Sequence, residues 1–257
     1  MCKMLHPSRY KMHPAETMLV MALIICAAAA AAAATGFGFN LLSVPLLMFL
    51  YPPRLVVTLT LLLGVFASGM LLLRGEIRRG IDWSVVRPLF LSSLVGMPGG
   101  LALLLWGYPQ ALKIMIAALT ALFALVMLSG FRPRLPGSRY DVLAVGALSG
   151  FLSTSTSLNG PPVAFYLLAR SLPKDQFRGN MVVFVFLATL SSLALLAVGG
   201  AISEFTIALT LKLLPVLAVG VVGGFSVANR LSNRGFEIMV LGFLLVVGLL
   251  GLANALR

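Results

Sequence analysis

Two short stretches of this chain gather glycine, proline, asparagine and hydroxyl side chains amid apolar surroundings, a combination able to hold a small anion. The first reads Thr35-Gly36-Phe37-Gly38-Phe39-Asn40, with Pro45 following. The second reads Ser153-Thr154-Ser155-Thr156-Ser157-Leu158-Asn159-Gly160-Pro161-Pro162. Glycine and proline interrupt a helix and release backbone N–H and C=O groups. Hydrocarbon cannot satisfy such groups, so they are tolerated only in a cavity or inside protein. Free N–H groups where the chain resumes its helix, near Asn40 and Gly160, favour an anion. The amides of Asn40 and Asn159 and the hydroxyls of Thr35, Ser155, Thr156 and Ser157 add hydrogen-bonding capacity, and Gly36 and Gly38 complete the candidate set. Taken singly, each of these residues fits ordinary helix packing equally well.

Two cations follow the breaks. Arg54 and Arg178 open the next apolar segments, where a guanidinium attracts an oxyanion or anchors the helix at the membrane boundary. Lys212, ahead of Pro215, lies inside an apolar span and is a secondary candidate. No acidic residue falls mid-span: Asp141 and Glu237 start segments and Glu204 is in a connection. A buried carboxylate relay therefore has no evident member, and a cation pathway is disfavoured. His6 and His13 both lie in the N-terminal tail, and Cys2 and Cys26 form no ligand spacing, so neither a metal centre nor a cofactor is expected. An intramembrane enzyme lacks a nucleophile–base pair or metal ligands. No phosphate-binding loop of the Gly-x-x-x-x-Gly-Lys-Ser/Thr kind is present, so ATP drive would need another subunit.

The elements that must position these groups are membrane helices. Only 10% of the 257 residues are charged, 60% are hydrophobic, and the mean hydropathy is +1.05. Soluble domains carry about 25% charged residues. Glycine, proline and charge clusters divide the chain into apolar segments at 18–34, 40–51, 55–73, 84–106, 110–129, 141–153, 161–170, 179–198, 206–228 and 236–255. Most approach the roughly 20 residues that cross a bilayer core, whereas the second and seventh are too short to cross upright. The net charge of +12 resides largely in the connections, at residues such as Arg74, Arg78, Arg79, Arg132, Arg134 and Arg139, which suits membrane orientation and not nucleic-acid binding.

The segments fall into two sets of five. Arg54 and Arg178 are 124 positions apart (178 − 54), and the same offset pairs Gly75 with Gly199, Gly96 with Gly220, Gly99 with Gly223 and Gly100 with Gly224. The expected fold is an all-α polytopic bundle of two homologous repeats, each a broken, short helix pair plus three long spans. The divisions are a basic tail at 1–17, a first membrane repeat at 18–130, a basic loop at 131–139 and a second repeat at 140–257. The basic loops 171–178 and 229–235 match charge-poor positions of the first half, which predicts that the repeats are inverted. Inversion puts both termini outside, against the tail's Lys3, Arg9 and Lys11. The tail and the alanine-rich run after it also read as a signal peptide, although the run's counterpart in the second half favours retention. The Gly96/Gly99/Gly100 and Gly220/Gly223/Gly224 sets are expected to make smooth faces for close helix crossing.

At these residues the chain resembles the sulfite exporter TauE/SafE family of bacterial membrane permeases. The resemblance rests on Thr35-Gly-Phe-Gly-Phe-Asn leading to Val44-Pro45-Leu46, on Ser149-Gly150 with Asn159-Gly160-Pro161-Pro162-Val163, and on Arg54 and Gln176-Phe177-Arg178-Gly179-Asn180. It spans roughly residues 18–255. Where many members carry consecutive glycines, this chain has Phe39-Asn40 and Leu158-Asn159, and its second break is richer in hydroxyls. The resemblance implies a multi-pass permease of the bacterial inner membrane that moves sulfite or organosulfonate anions, and two repeats meeting at the broken segments would expose their site by alternating access. The implied partners are that small anion and the lipid bilayer, with no nucleic acid, and a homo-oligomer is compatible with it. An anion channel and a non-transporting structural subunit are the other readings.

Overall fold

The computed structural model describes residues 14–36, 38–130, 138–170, 172–228 and 245–253. Helix α1 spans Pro14–Thr35 and α2 Phe39–Leu47, followed by α3 (Pro53–Leu72), α4 (Gly75–Arg79), α5 (Trp83–Trp106) and α6 (Pro109–Leu128). Beyond the basic loop come α7 (Arg139–Thr156), α8 (Gly160–Ala169), α9 (Lys174–Val198) and α10 (Glu204–Ala228), and residues 245–253 are again helical. Among the described residues there is no strand, and six helices are long and apolar enough to cross a membrane. The five-residue α4 occupies what the sequence presents as a loop. Residues 1–13, 131–137 and 229–244 lie outside the described residues, and with them most of the basic tail, the centre of the basic loop 131–139, the basic loop 229–235 and the start of the last apolar segment.

Local chemistry sets the helix ends. Ser138 and Asp141 form a reciprocal capping box that starts α7, and the Asp82 carboxylate accepts the Ser84 N–H at the start of α5. Pro53 and Pro109 occupy first-turn positions of α3 and α6, where a missing N–H costs nothing. The first break turns on Gly36 (φ 85°) and Gly38 (φ 108°). The second turns on Ser157, a non-glycine residue at φ 65°.

Contacts along the helices fix their directions. Gly80 packs on Asp175, and Asp82 N–H donates to Asn180 Oδ1 at 2.7 Å, so α5 and α9 start at one end. Gly199 meets Leu101 and Leu105, so they also finish together. Helix α3 runs the opposite way, with Gly64 near Thr189 and Gly69 near Phe186. Helix α7 runs parallel to α5, since Gly146 approaches Leu89 and Ser92 while Gly100 approaches Thr154. Helix α1 runs parallel to α10, Gly220 lying on Cys26 and Gly224 on Ala30. The last helical residues run against α6, Gly248 on Ala121 and Gly251 near Ala117.

These directions place Arg74, Arg78, Arg79, Arg87, Arg139, Arg170, Lys174 and Arg178 towards one end of the bundle, the basic face. The opposite end carries the links α2–α3, α5–α6 and α9–α10, the start of α1 and the end of the 245–253 segment.

The expected glycine faces are narrower than three residues. A Cβ at Gly96, Gly100, Gly220 or Gly224 would overlap backbone of the facing helix. Gly99 meets only the Phe151 ring, at 3.5 Å, and Gly223 meets nothing within 4 Å. Residues four apart share a helix face, so the middle glycine of each set turns away from the seam. Gly223→Ala is therefore expected to leave thermal stability within about 0.5 kcal/mol of wild type, whereas Gly224→Ala lowers it, as melting curves in detergent would read.

Candidate functional site

The two broken stretches meet. A cleft with about 470 Å³ of atom-free space, its open mouth included, is lined by Gly36, Gly38 and Asn40 from the first break and by Ser157, Asn159 and Gly160 from the second. Gly64, Ala67, Ser68 and Leu71 of α3 and Val185 of α9 close its sides. Gly64 lies between the two asparagines' surroundings. A Cβ there would sit 3.3 Å from Asn40 Oδ1 and 3.6 Å from Thr189 Cγ2, and Thr189 in turn holds Asn159. The α3 residues on the wall descend from Gly64 towards Arg74, so the cleft extends from the asparagines towards the basic face.

The two asparagines differ in occupation. Asn159 Nδ2 donates to Thr189 Oγ1 (3.1 Å) and Ser153 Oγ (3.3 Å), and Ser153 bonds Ser192 at 2.7 Å. The Asn159 carbonyl accepts from Ser149 Oγ. Both amide hydrogens of Asn159 are thus used in tying α7, α8 and α9 together. Asn40 is 7% exposed, and its Oδ1 is buried without a partner among the described residues. Ser157 Oγ, fully buried, is likewise unpaired. Glycine would hold the αL turn at 157 without steric penalty, yet the chain places a hydroxyl there. Buried polar atoms are nearly always paired, so two orphans on one cleft mark a place where a ligand or water can bond.

The backbone adds donors unequally. Leu42 N–H makes the first helical bond of α2, to Gly38 O at 3.0 Å, which leaves the N–H groups of Phe39, Asn40 and Leu41 unused by the helix. In α8, Pro161 and Pro162 remove two of the four N–H groups a helix start can offer.

Several sequence candidates lie elsewhere. The hydroxyl of Ser155 donates to Phe151 O and that of Thr156 to Leu152 O, both at 2.7 Å, and neither residue lines the cleft. The Thr35 side chain lies outside the described residues. Arg54 is exposed at the charge-poor end, and Lys212 is exposed on α10. Arg178 stands beside Gly36, the cleft wall, but its guanidinium donates to Ala33 O in the last turn of α1 and lies 5.8 Å from the Phe225 ring centre, with Arg74 at 3.9 Å from the same ring. Its Nε is buried and unpaired among the described residues. Sequence reasoning did not single out Gly64 or Thr189. Neither has a local signature, since their roles come from neighbours on other helices. No group of three or more His, Cys, Asp or Glu side chains able to hold a metal occurs among the described residues.

Comparison with protein families matches the model described as Sulfite exporter TauE/SafE to residues 21–250, nearly the whole chain. Neither the curated proteins nor the solved structures yield a match.

Proposed function

This chain belongs to the sulfite exporter TauE/SafE family of membrane transporters, and from that premise we propose that it is a secondary permease for sulfite or organosulfonate anions. The observation that carries the reading is the cleft, which joins both breaks and presents the Asn40 side chain, a Ser157 hydroxyl unpaired among the described residues and the N–H groups of α2 that its helix leaves unused. The Asn40 Nδ2, the hydroxyl and these N–H groups are donors that suit a tetrahedral or pyramidal oxyanion. Asn40, Ser157, Gly36, Gly38 and Gly160 form the site in this reading. Asn159 holds its shape, and Arg178 acts from behind the wall.

Alternating access follows from treating the halves as inverted repeats. Supporting this, each helix of the first half runs against its counterpart in the second: α1 against α7, α3 against α9 and α5 against α10. The two closest seams, α5 on α7 and α1 on α10, are the pair that such a symmetry exchanges. Rocking one half against the other would expose the site to each side in turn. We assign the basic face to the cytoplasm of a bacterial inner membrane by the positive-inside rule, which places the start of α1 outside. A membrane-impermeant thiol reagent should then label Ser203→Cys, in the α9–α10 link, from outside intact cells. Labelling only after lysis would reverse this topology.

The test of function is uptake into proteoliposomes for sulfite, a sulfonate and a metal-cation control. Saturable anion flux without cation flux is expected. Gly64→Val, which pushes a side chain against Asn40 and Thr189, is expected to reduce that flux at least about tenfold by loss of one good anion contact. Full flux in Gly64→Val would move the site elsewhere, and unitary currents in a planar bilayer would favour a channel.

A further inference from the structure

The cleft's electrostatics set a limit on ligand charge that the family membership does not contain. Among the described residues that line it, none is charged. Any anion there is held by dipoles and by whatever net charge stands behind the wall. Four helix ends converge on the cleft: the starts of α2 and α8 and the ends of α1 and α7. Each contributes about half an elementary charge, positive at a start and negative at an end, so the four roughly cancel. One formal charge is coupled to them directly. Arg178 donates to Ala33 O, the exposed carbonyl end of α1, while its Cγ packs beside Gly36 on the cleft wall. Its nearest carboxylates, Glu76 and Asp175, and the neighbouring Arg74 lie further out at the basic face. Arg178 is thus the cation held against the cleft wall, and Glu76, Asp175 and Arg74 together set one negative charge against it further out, so no more than one positive unit reaches the cleft.

We infer that the cleft accepts singly charged oxyanions, such as hydrogensulfite or a monosulfonate, and rejects doubly charged ones, such as the sulfite dianion or sulfate. The inference rests on the permease reading above. The cost of burying an ion rises with the square of its charge, so a dianion costs about four times as much to desolvate as a monoanion of the same size. At most one positive unit and neutral donors suit a monoanion and leave at least half of a dianion's charge uncompensated. The unpaired atoms agree with this: Asn40 offers an acceptor oxygen as well as donors, and Ser157 Oγ accepts as well as donates. A hydrogensulfite proton finds an acceptor there, whereas a fully deprotonated dianion presents only acceptors. No carboxylate or imidazole lines the cleft among the described residues, so a proton crossing with sulfite would travel on the substrate itself.

The test uses the full chain in proteoliposomes with three probes, each corrected for protein-free vesicles: methanesulfonate, which stays singly charged, sulfate, which stays doubly charged and is of similar size, and sulfite, whose second ionisation falls near neutral pH. The expected result is methanesulfonate flux at least about tenfold above sulfate. Sulfite flux should fall as pH rises through its second ionisation, while methanesulfonate flux stays level. Arg178→Lys should keep more methanesulfonate flux than Arg178→Gln, because charge and not packing is at stake. Sulfate moving within about threefold of methanesulfonate, or sulfite flux rising with pH, would overturn the valence rule and leave the permease reading standing. No flux of any of the three anions would overturn both.

Discussion

Asn40→Ala is expected to lower anion uptake by about tenfold or more while leaving thermal stability within about 0.5 kcal/mol of wild type. Asn40 Oδ1 has no partner among the described residues, so its removal orphans no donor there. What disappears is its contact with the ligand, and a hydrogen bond to a charged group is worth about 1.5–3 kcal/mol, enough for a tenfold change or more. Asn159→Ala should behave in the opposite sense. It strips Thr189 Oγ1 and Ser153 Oγ of a shared donor in a fully buried network, at a cost of about 1–3 kcal/mol in stability. Uptake and melting curves on the same two preparations separate the roles. Equal stability loss in both variants would mean that Asn40 is a packing residue.

The second large effect is on assembly of the bundle. Gly150→Val is expected to destabilise the protein by at least about 1–3 kcal/mol, the usual range for overpacking, because here the obstacle is backbone. A Cβ at 150 would overlap the Ser93 carbonyl, and Gly96 faces the Ala147 carbonyl across the same seam. No side-chain rotamer relieves such a clash, so α5 and α7 must move apart. Ser153, Thr154 and Asn159 follow the displaced helix, and flux should fall with stability. Gly200→Ala, at a turn with φ 64° and nothing within 4 Å, tests backbone strain without helix separation. If Gly150→Val melts with wild type, the seam is looser than its geometry implies.

Much of this was legible before any fold was known, because a bilayer imposes local rules. Every segment facing lipid must be apolar and hydrogen-bonded to itself, so spans appear as runs, and any interruption must be written in glycine, proline or hydroxyl residues. The breaks at Gly36–Asn40 and Ser157–Gly160, most segment limits and the glycine positions at one offset are all visible on that basis. Helix α4 was not, since five residues at an interface carry no periodic signal. The roles within the site were not legible either. Asn40 and Asn159 look equivalent in sequence, yet Thr189 and Ser153 occupy the Nδ2 of one, while the Oδ1 of the other has no partner among the described residues. Ser155, Thr156 and Ser157 look alike too, but a helical hydroxyl can return to the carbonyl one turn back, and only Ser157, beyond the last turn, cannot. Arg54 and Arg178 look alike in sequence as well, and only Arg178 meets an open helix end. The sequence by itself therefore determined a membrane bundle with two broken helices and the residue types available at each break. Tertiary structure alone decided which of those groups stay unpaired, because pairing depends on partners brought by α1, α3 and α9 from distant parts of the chain.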